Sequence, residues 1–158
     1  MKQHTYQLTI NWIGNLGSGT SSYTAYSRNH NIQAADKPLI PGSSDPSFRG
    51  DPKRYNPEEL FLSTLSSCHM LFFLHLCAVN KITVVNYSDQ PEGIMLEEKS
   101  GRGFFKEVTL HPVAEIKEAD KVDLAMQLHK DSSKLCFIAN SVNFPVKHQP
   151  IITIATDG

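Results

Sequence analysis

Cys68, within Ser66-Ser67-Cys68-His69-Met70, and Cys136, within Lys134-Leu135-Cys136-Phe137-Ile138, are the residues best suited to chemistry. A thiolate can attack an electrophile or ligate a metal, and those are the two chemistries to weigh. The bland alternative is that a free cysteine packs as a small apolar residue, which also suits Cys77 near the end of an apolar run. Cys68 and His75 are seven residues apart, and His129 and Cys136 repeat that spacing. On a helix this sets α-carbons roughly 10 Å apart along the axis, too far for one ion, so neither a metal nor another cofactor is expected.

The elements that position these thiols follow from periodicity. Tyr6, Leu8, Ile10 and Trp12 alternate with polar residues as a half-covered strand does, and Ser22 to Ser27 is expected to return as its hairpin partner after the Asn15 to Gly19 turn. From Asp36 to Asn56 four prolines and two glycines predict irregular chain, a candidate functional loop. Asn56-Pro57-Glu58-Glu59 then starts a helix, with a capping side chain, proline in the first turn and two carboxylates at the positive end of the dipole. That dipole explains Glu58 and Glu59 without any chemistry, and Arg28, Arg49, Arg54 and Arg102 default to the solvated surface.

The helix runs to about Val79 or Asn80 and is apolar around most of its circumference, so it must be enclosed on nearly all sides. Further strands are expected at 83–87 and 93–97, one long strand at 104–116, a second helix from about Lys117, and a closing strand at 146–155. Val122, Ala125, Met126 and His129 keep helical spacing, and the stripe extends to Cys136 if Asp131-Ser132-Ser133 does not break the helix. This order predicts an α+β domain, a single one over residues 1–158, with a mainly antiparallel sheet wrapped on central buried helices. One sheet covers only one side of such a helix. A second copy of the chain is the economical cover, so a homodimer is expected.

Composition narrows the function. The chain has 158 residues, 40% hydrophobic and 20% charged, and a net charge of -1, which supplies no basic field for nucleic acid. Three cysteines without a close-spaced framework fit a reducing compartment, the cytoplasm, and the N-terminal stretch reads as a strand and not as a signal peptide. Serines and histidines interrupt the apolar run from Leu60 to Val79, which argues against a membrane span.

The run Asn56-Pro57-Glu58-Glu59-Leu60-Phe61-Leu62-Ser63-Thr64-Leu65-Ser66-Ser67-Cys68-His69 closely resembles the helix signature of the OsmC/Ohr family of thiol peroxidases. Cys136-Phe137-Ile138-Ala139-Asn140-Ser141-Val142 resembles that family's second cysteine region. The resemblance implies an intertwined homodimer that reduces organic hydroperoxides with a peroxidatic and a resolving cysteine, recharged by a small dithiol or dithiol protein. Cys68 matches the peroxidatic cysteine, Cys136 the resolving one, and Glu58 the carboxylate that orients an arginine. In the Ohr branch that arginine lies in the first hairpin, where this chain has none. In the OsmC branch it precedes the Asn-Pro-Glu motif, and Arg49 is the nearest match, with Arg54 and Arg28 as alternatives, which marks a divergent branch.

A nucleophilic thiol in apolar surroundings needs a cation, and a carboxylate-oriented guanidinium supplies one that stays charged. A rival class is an OsmC-like binding or redox-sensing protein that captures an electrophile or ligand, and a third is a dimer with inert cysteines. Glu58 and Cys68 are ten residues apart, roughly 15 Å along one helix and on different sides of it. A composite site is therefore expected, with Cys68 and Cys136 from one chain and Glu58 and its arginine from the other.

Overall fold

The computed structural model describes residues 2–156. The chain divides into two compact units, Met1–Phe61 and Leu62–Gly158. In the first, β1 (Thr9–Trp12), β2 (His30–Gln33) and β3 (Ile40–Gly42) form an antiparallel sheet in that order, with Thr9 opposite Gln33 and Trp12 opposite His30. The partner of β1 is thus not the expected Ser22 to Ser27 segment, from which Tyr26 makes only an isolated bridge to Asn15. Arg28 explains the difference. Its guanidinium lies over the rings of Tyr23 and Tyr26, at 4.4 and 4.2 Å, and donates to their carbonyls, so this segment spends its acceptors on a side chain instead of a ladder.

The following helix, α1 (Pro57–Val79), begins as the sequence predicts. Asn56 Oδ1 accepts from the Glu59 backbone N–H at 2.8 Å, and Glu59 Oε2 accepts from that of Asn56 at 3.1 Å, a reciprocal cap worth about 1 kcal/mol. At the far end Lys121 Nζ donates to the carbonyls of Asn80 and Lys81, which lie beyond the last turn. Leu65, His69, Phe73 and Cys77 are the buried residues of α1, a single stripe at every fourth position. The expected enclosure on nearly all sides is not achieved within one chain: Leu71 and Val79 are 62% and 61% exposed. By length and composition α1 could cross a membrane. Here, however, its Ser66 and His69 side chains are hydrogen-bonded into the surrounding fold.

The second unit contributes β4 (Val84–Ser88), β5 (Glu92–Glu97), β6 (Gly103–Leu110), β7 (Val113–Ile116), α2 (Val122–Leu135), β8 (Val146–His148) and β9 (Ile151–Ile154). They build two three-stranded sheets, β4-β7-β9 and β5-β6-β8. The β4/β7 and β5/β6 pairs are antiparallel, and β6/β8 and β7/β9 are parallel. The long strand expected at 104–116 and the closing strand expected at 146–155 are therefore each split between sheets, at Pro112 and at Pro150. Proline has no N–H for a central ladder, and the two breaks lie side by side, with Gln149 N donating to Leu110 O and Ile151 N to Pro112 O. The two segments change sheet together.

Phe73 and Cys77 of α1 pack with Ile82, Ala114, Ile116, Ala125 and Leu128 into the core of this unit. The architecture is α+β and mainly antiparallel, as expected, with four of six strand pairs antiparallel, but the strands are spread over three sheets, one antiparallel and two mixed, in place of a single sheet.

Candidate active site

Within the second unit α1 carries Cys68, and Cys136 caps the C-terminus of α2, its N–H donating to Ser132 O. The helix does not break at Asp131-Ser132-Ser133, because the Ser132 and Ser133 hydroxyls bond back to carbonyls of the preceding turn and leave the ladder intact. The structure brings the two thiols close enough for Cys68 to influence the Cys136 thiol. Cys136 is buried and Cys68 partly exposed. Burial pushes the Cys136 thiol up to about 11, and the neighbouring Cys68 thiol adds to this, while the Ala139 N–H pointing at Cys136 Sγ acts in the opposite direction. Cys136 therefore holds its proton at neutral pH. Cys77 is a core residue, its thiol pushed up to about 12 by burial and then by Glu118, which suits the apolar role expected for it.

Beside the thiols lies a histidine pair. His69 Nε2 and His129 Nδ1 are 2.9 Å apart, and both rings are almost fully buried. Phe73 stacks on His129 with ring centroids 3.8 Å apart, and His148 stacks on His69 at 4.8 Å. Burial keeps both imidazoles neutral, lowering His69 to about 4, with His148 as a second cause, and His129 to about 3, with His69 and His148 as further causes. Adjacent residues of α1 thus meet residues seven apart on α2. Since seven residues advance a helix by roughly 10 Å and one residue by about 1.5 Å, α2 must run across α1 and not along it. Spacing alone does not reveal the pair: His69 stands in the α1 signature and His129 on the α2 stripe, and only the crossing joins them. Behind them Asp89 accepts from Ser66 Oγ and from the His111 backbone N–H. No group of three or more metal-ligating side chains occurs among the described residues.

In the first unit Arg49 ends a short 3-10 turn, Pro46–Phe48. Asp45 Oδ1 accepts from Ser47 N at 2.7 Å, and Asp45 O accepts from the N–H groups of Phe48 and Gly50. A side chain on Gly50 would collide with Ser44 O at 1.5 Å, so glycine is required there. Arg49 itself lies in the left-handed region at φ 64°, a conformation that costs a non-glycine residue energy and is retained where the surrounding loop over-determines it.

The three candidate arginines differ in commitment. Arg28 is held by Tyr23 and Tyr26, and Arg54 donates to His30 O and pairs with Asp51 at 3.7 Å. The Arg49 guanidinium makes no such bond among the described residues. Glu58, in the first turn of α1, makes no ion pair there either, and no bond joins it to Arg49.

The profile of the OsmC-like protein family matches residues 50–150, which include Cys68, Cys136 and Glu58. Among solved structures, an OsmC-like protein of unknown function from Vibrio cholerae superposes with a TM-score of 0.81 at 28% identity, over 94% of this chain and 100% of that one. An OsmC-like protein from Mycoplasma pneumoniae gives 0.73 at 15% identity, over 96% and 99%. An organic hydroperoxide resistance protein from Elizabethkingia anophelis gives 0.69 at 15% identity, over 98% and 99%. No curated protein matches the sequence. The two-cysteine constellation, the α+β architecture and the profile match converge: this chain belongs to the OsmC-like protein family.

Proposed function

We propose that the protein is a cysteine-based peroxidase that reduces organic hydroperoxides to alcohols, with Cys68 as the attacking thiol and Cys136 as the resolving thiol. The observation that carries this reading is the approach of two thiols far apart in sequence, one partly exposed and the other buried with its proton held by that burial. Organic hydroperoxide resistance proteins among its structural relatives agree with it.

In the proposed cycle the Cys68 thiolate attacks a peroxide oxygen, the O–O bond breaks, and the alkoxide takes a proton from solvent and leaves as alcohol. Cys68 is left as a sulfenic acid. The Cys136 sulfur then attacks the Cys68 sulfur, the S–S bond forms as the S–O bond breaks, and the departing hydroxide takes the Cys136 proton to give water. A small dithiol or dithiol protein reduces the disulfide by exchange, returning both thiols.

Arg49 is the uncommitted cation of the three and is assigned to stabilise the thiolate and the peroxide oxygens, with Glu58 orienting it. Phe72, one turn beyond Cys68, meets Phe137, next to Cys136, edge to face at 5.2 Å, an apolar border that favours alkyl over hydrogen peroxide. Phe73 is enclosed in the core and takes no part in that border.

The functional unit is a homodimer, with Glu58 and Arg49 of one copy serving the thiols of the other. Tyr6, Leu8, Ile10 and Trp12 are exposed, and none of the fully buried large hydrophobic residues among the described ones lies in the first unit. Such a sheet needs a cover, and a second copy supplies it. Light scattering is expected to give about 35 kDa, twice 17.6 kDa, and a monomer mass would overturn the dimer. The reducing cytoplasm is the compartment assigned, since all three cysteines are free thiols.

Mass spectrometry after one equivalent of cumene hydroperoxide is expected to show a Cys68–Cys136 disulfide, and excess dithiol is expected to sustain many turnovers. Oxidation that stops at one equivalent despite dithiol would identify a sensor, and unmodified thiols would refute both readings.

A further inference from the structure

We infer that His69 and His129 are positioning residues: their hydrogen bond sets how closely Cys136, at the end of α2, approaches Cys68 on α1, and so controls closure of the disulfide. Among the described residues neither ring is hydrogen-bonded to a thiol, so the effect is exerted through the helices. His69 follows Cys68 directly, and His129 shares the α2 stripe that leads to Cys136. The 2.9 Å bond joins the two helices where they cross, and stacking by Phe73 on one ring and by His148 on the other leaves little freedom to pivot. A hydrogen bond between two rigid rings fixes both separation and register, and small misalignments of reacting groups cost large factors in rate. A hydrophobic contact would bury the same area without setting the register.

The inference rests on the reading of Cys68 and Cys136 as a reacting pair, but it can be tested without peroxide. An aromatic disulfide reagent, 5,5′-dithiobis(2-nitrobenzoate), modifies the accessible Cys68 thiolate and releases one coloured thiolate. Attack by Cys136 on that mixed disulfide then closes the protein disulfide and releases a second. The first phase reads Cys68 reactivity and the second reads closure.

The bond uses Nε2 of His69 and Nδ1 of His129, so the amides that imitate these atoms differ: glutamine at 69 and asparagine at 129. His69→Gln and His129→Asn are expected to keep the second phase within about threefold of the parent, whereas His69→Asn and His129→Gln slow it about tenfold or more, with the first phase within about twofold throughout. A merely structural role predicts no such crossed pattern. Equal second-phase rates for glutamine and asparagine at both positions would overturn the inference, as would a fall in both phases by the same factor. If one variant fails to fold, the pair at the other position carries the comparison. Should the parent close normally yet consume no hydroperoxide, the peroxidase reading fails while the alignment role stands.

Discussion

Cys68→Ser is expected to abolish dithiol-dependent peroxide consumption, a loss on the order of 10³-fold or more, because a serine hydroxyl is not ionised near neutral pH and cannot replace the thiolate. Cys136→Ser is expected to behave differently. Its Cys68 thiol still reacts, so about one equivalent of peroxide is consumed quickly. The sulfenic acid then persists, is trapped by dimedone, and turns over only as fast as external dithiol reaches it.

The asymmetry follows from the structure. Cys68 is the partly exposed member of the pair, whereas Cys136 is buried, with its thiol pushed up to about 11, and serves best as a proton-bearing second reactant. Stopped-flow peroxide consumption with intact-mass analysis checks both variants. Equal loss of the first equivalent in both would remove the assignment of attacking and resolving roles. Full activity in Cys68→Ser would end the reading of Cys68 as the attacking thiol.

The second large effect is a loss of stability in mild acid. His69 and His129 titrate in the fold at about 4 and about 3, depressed from 6.5 chiefly by burial. Below pH 6.5 the unfolded chain takes up protons on both rings while the folded chain does not, so the unfolded state binds more protons and stability falls as pH falls. At pH 5 this amounts to about 2 kcal/mol for each histidine relative to pH 8, or about 4 kcal/mol together, a large share of the margin of an ordinary domain. His148, also lowered by burial though raised by Asp89, acts in the same direction.

The half-buried carboxylates Asp45, Glu107, Glu118 and Asp131 are lowered by hydrogen bonds and lose their contribution only at lower pH, outside this window. Urea unfolding at pH 8 and pH 5 is expected to show a midpoint drop of about 2 M, taking a slope of about 2 kcal/mol per M. His129→Asn is expected to remove about half of it, because asparagine keeps the bond but does not titrate. A midpoint independent of pH over this range would show that the rings are solvated in the folded state.

The thiols, the α1 start and the fold class were legible in the sequence, because each is a local matter. Asn56-Pro57-Glu58-Glu59 carries its own cap and dipole partners, and α1 ends where expected, at Val79. The stripe through Val122, Ala125 and His129 does extend to Cys136. What periodicity could not resolve was the path of the strands. Residues 104–116 alternate as one strand, and nothing local shows that Pro112 hands the chain to a second sheet beside a matching break at Pro150. The β1 pairing escapes periodicity for the same reason, since Arg28 takes the carbonyls of Tyr23 and Tyr26 from a short-range ladder.

By itself the sequence determined the chemistry available: which residues can be thiolates, which helix carries Cys68, and that α1 is too apolar for one sheet to cover. Only the tertiary structure decided that Cys68 lies near Cys136, that His69 and His129 bond to each other, and that among the described residues Arg49 is left uncommitted where Arg28 and Arg54 are not. The division has a physical cause. Caps, dipoles and periodic faces act over one or two turns of chain, whereas the meeting of α1 and α2 depends on a crossing angle set by side chains from both helices and from β8 packing at one point.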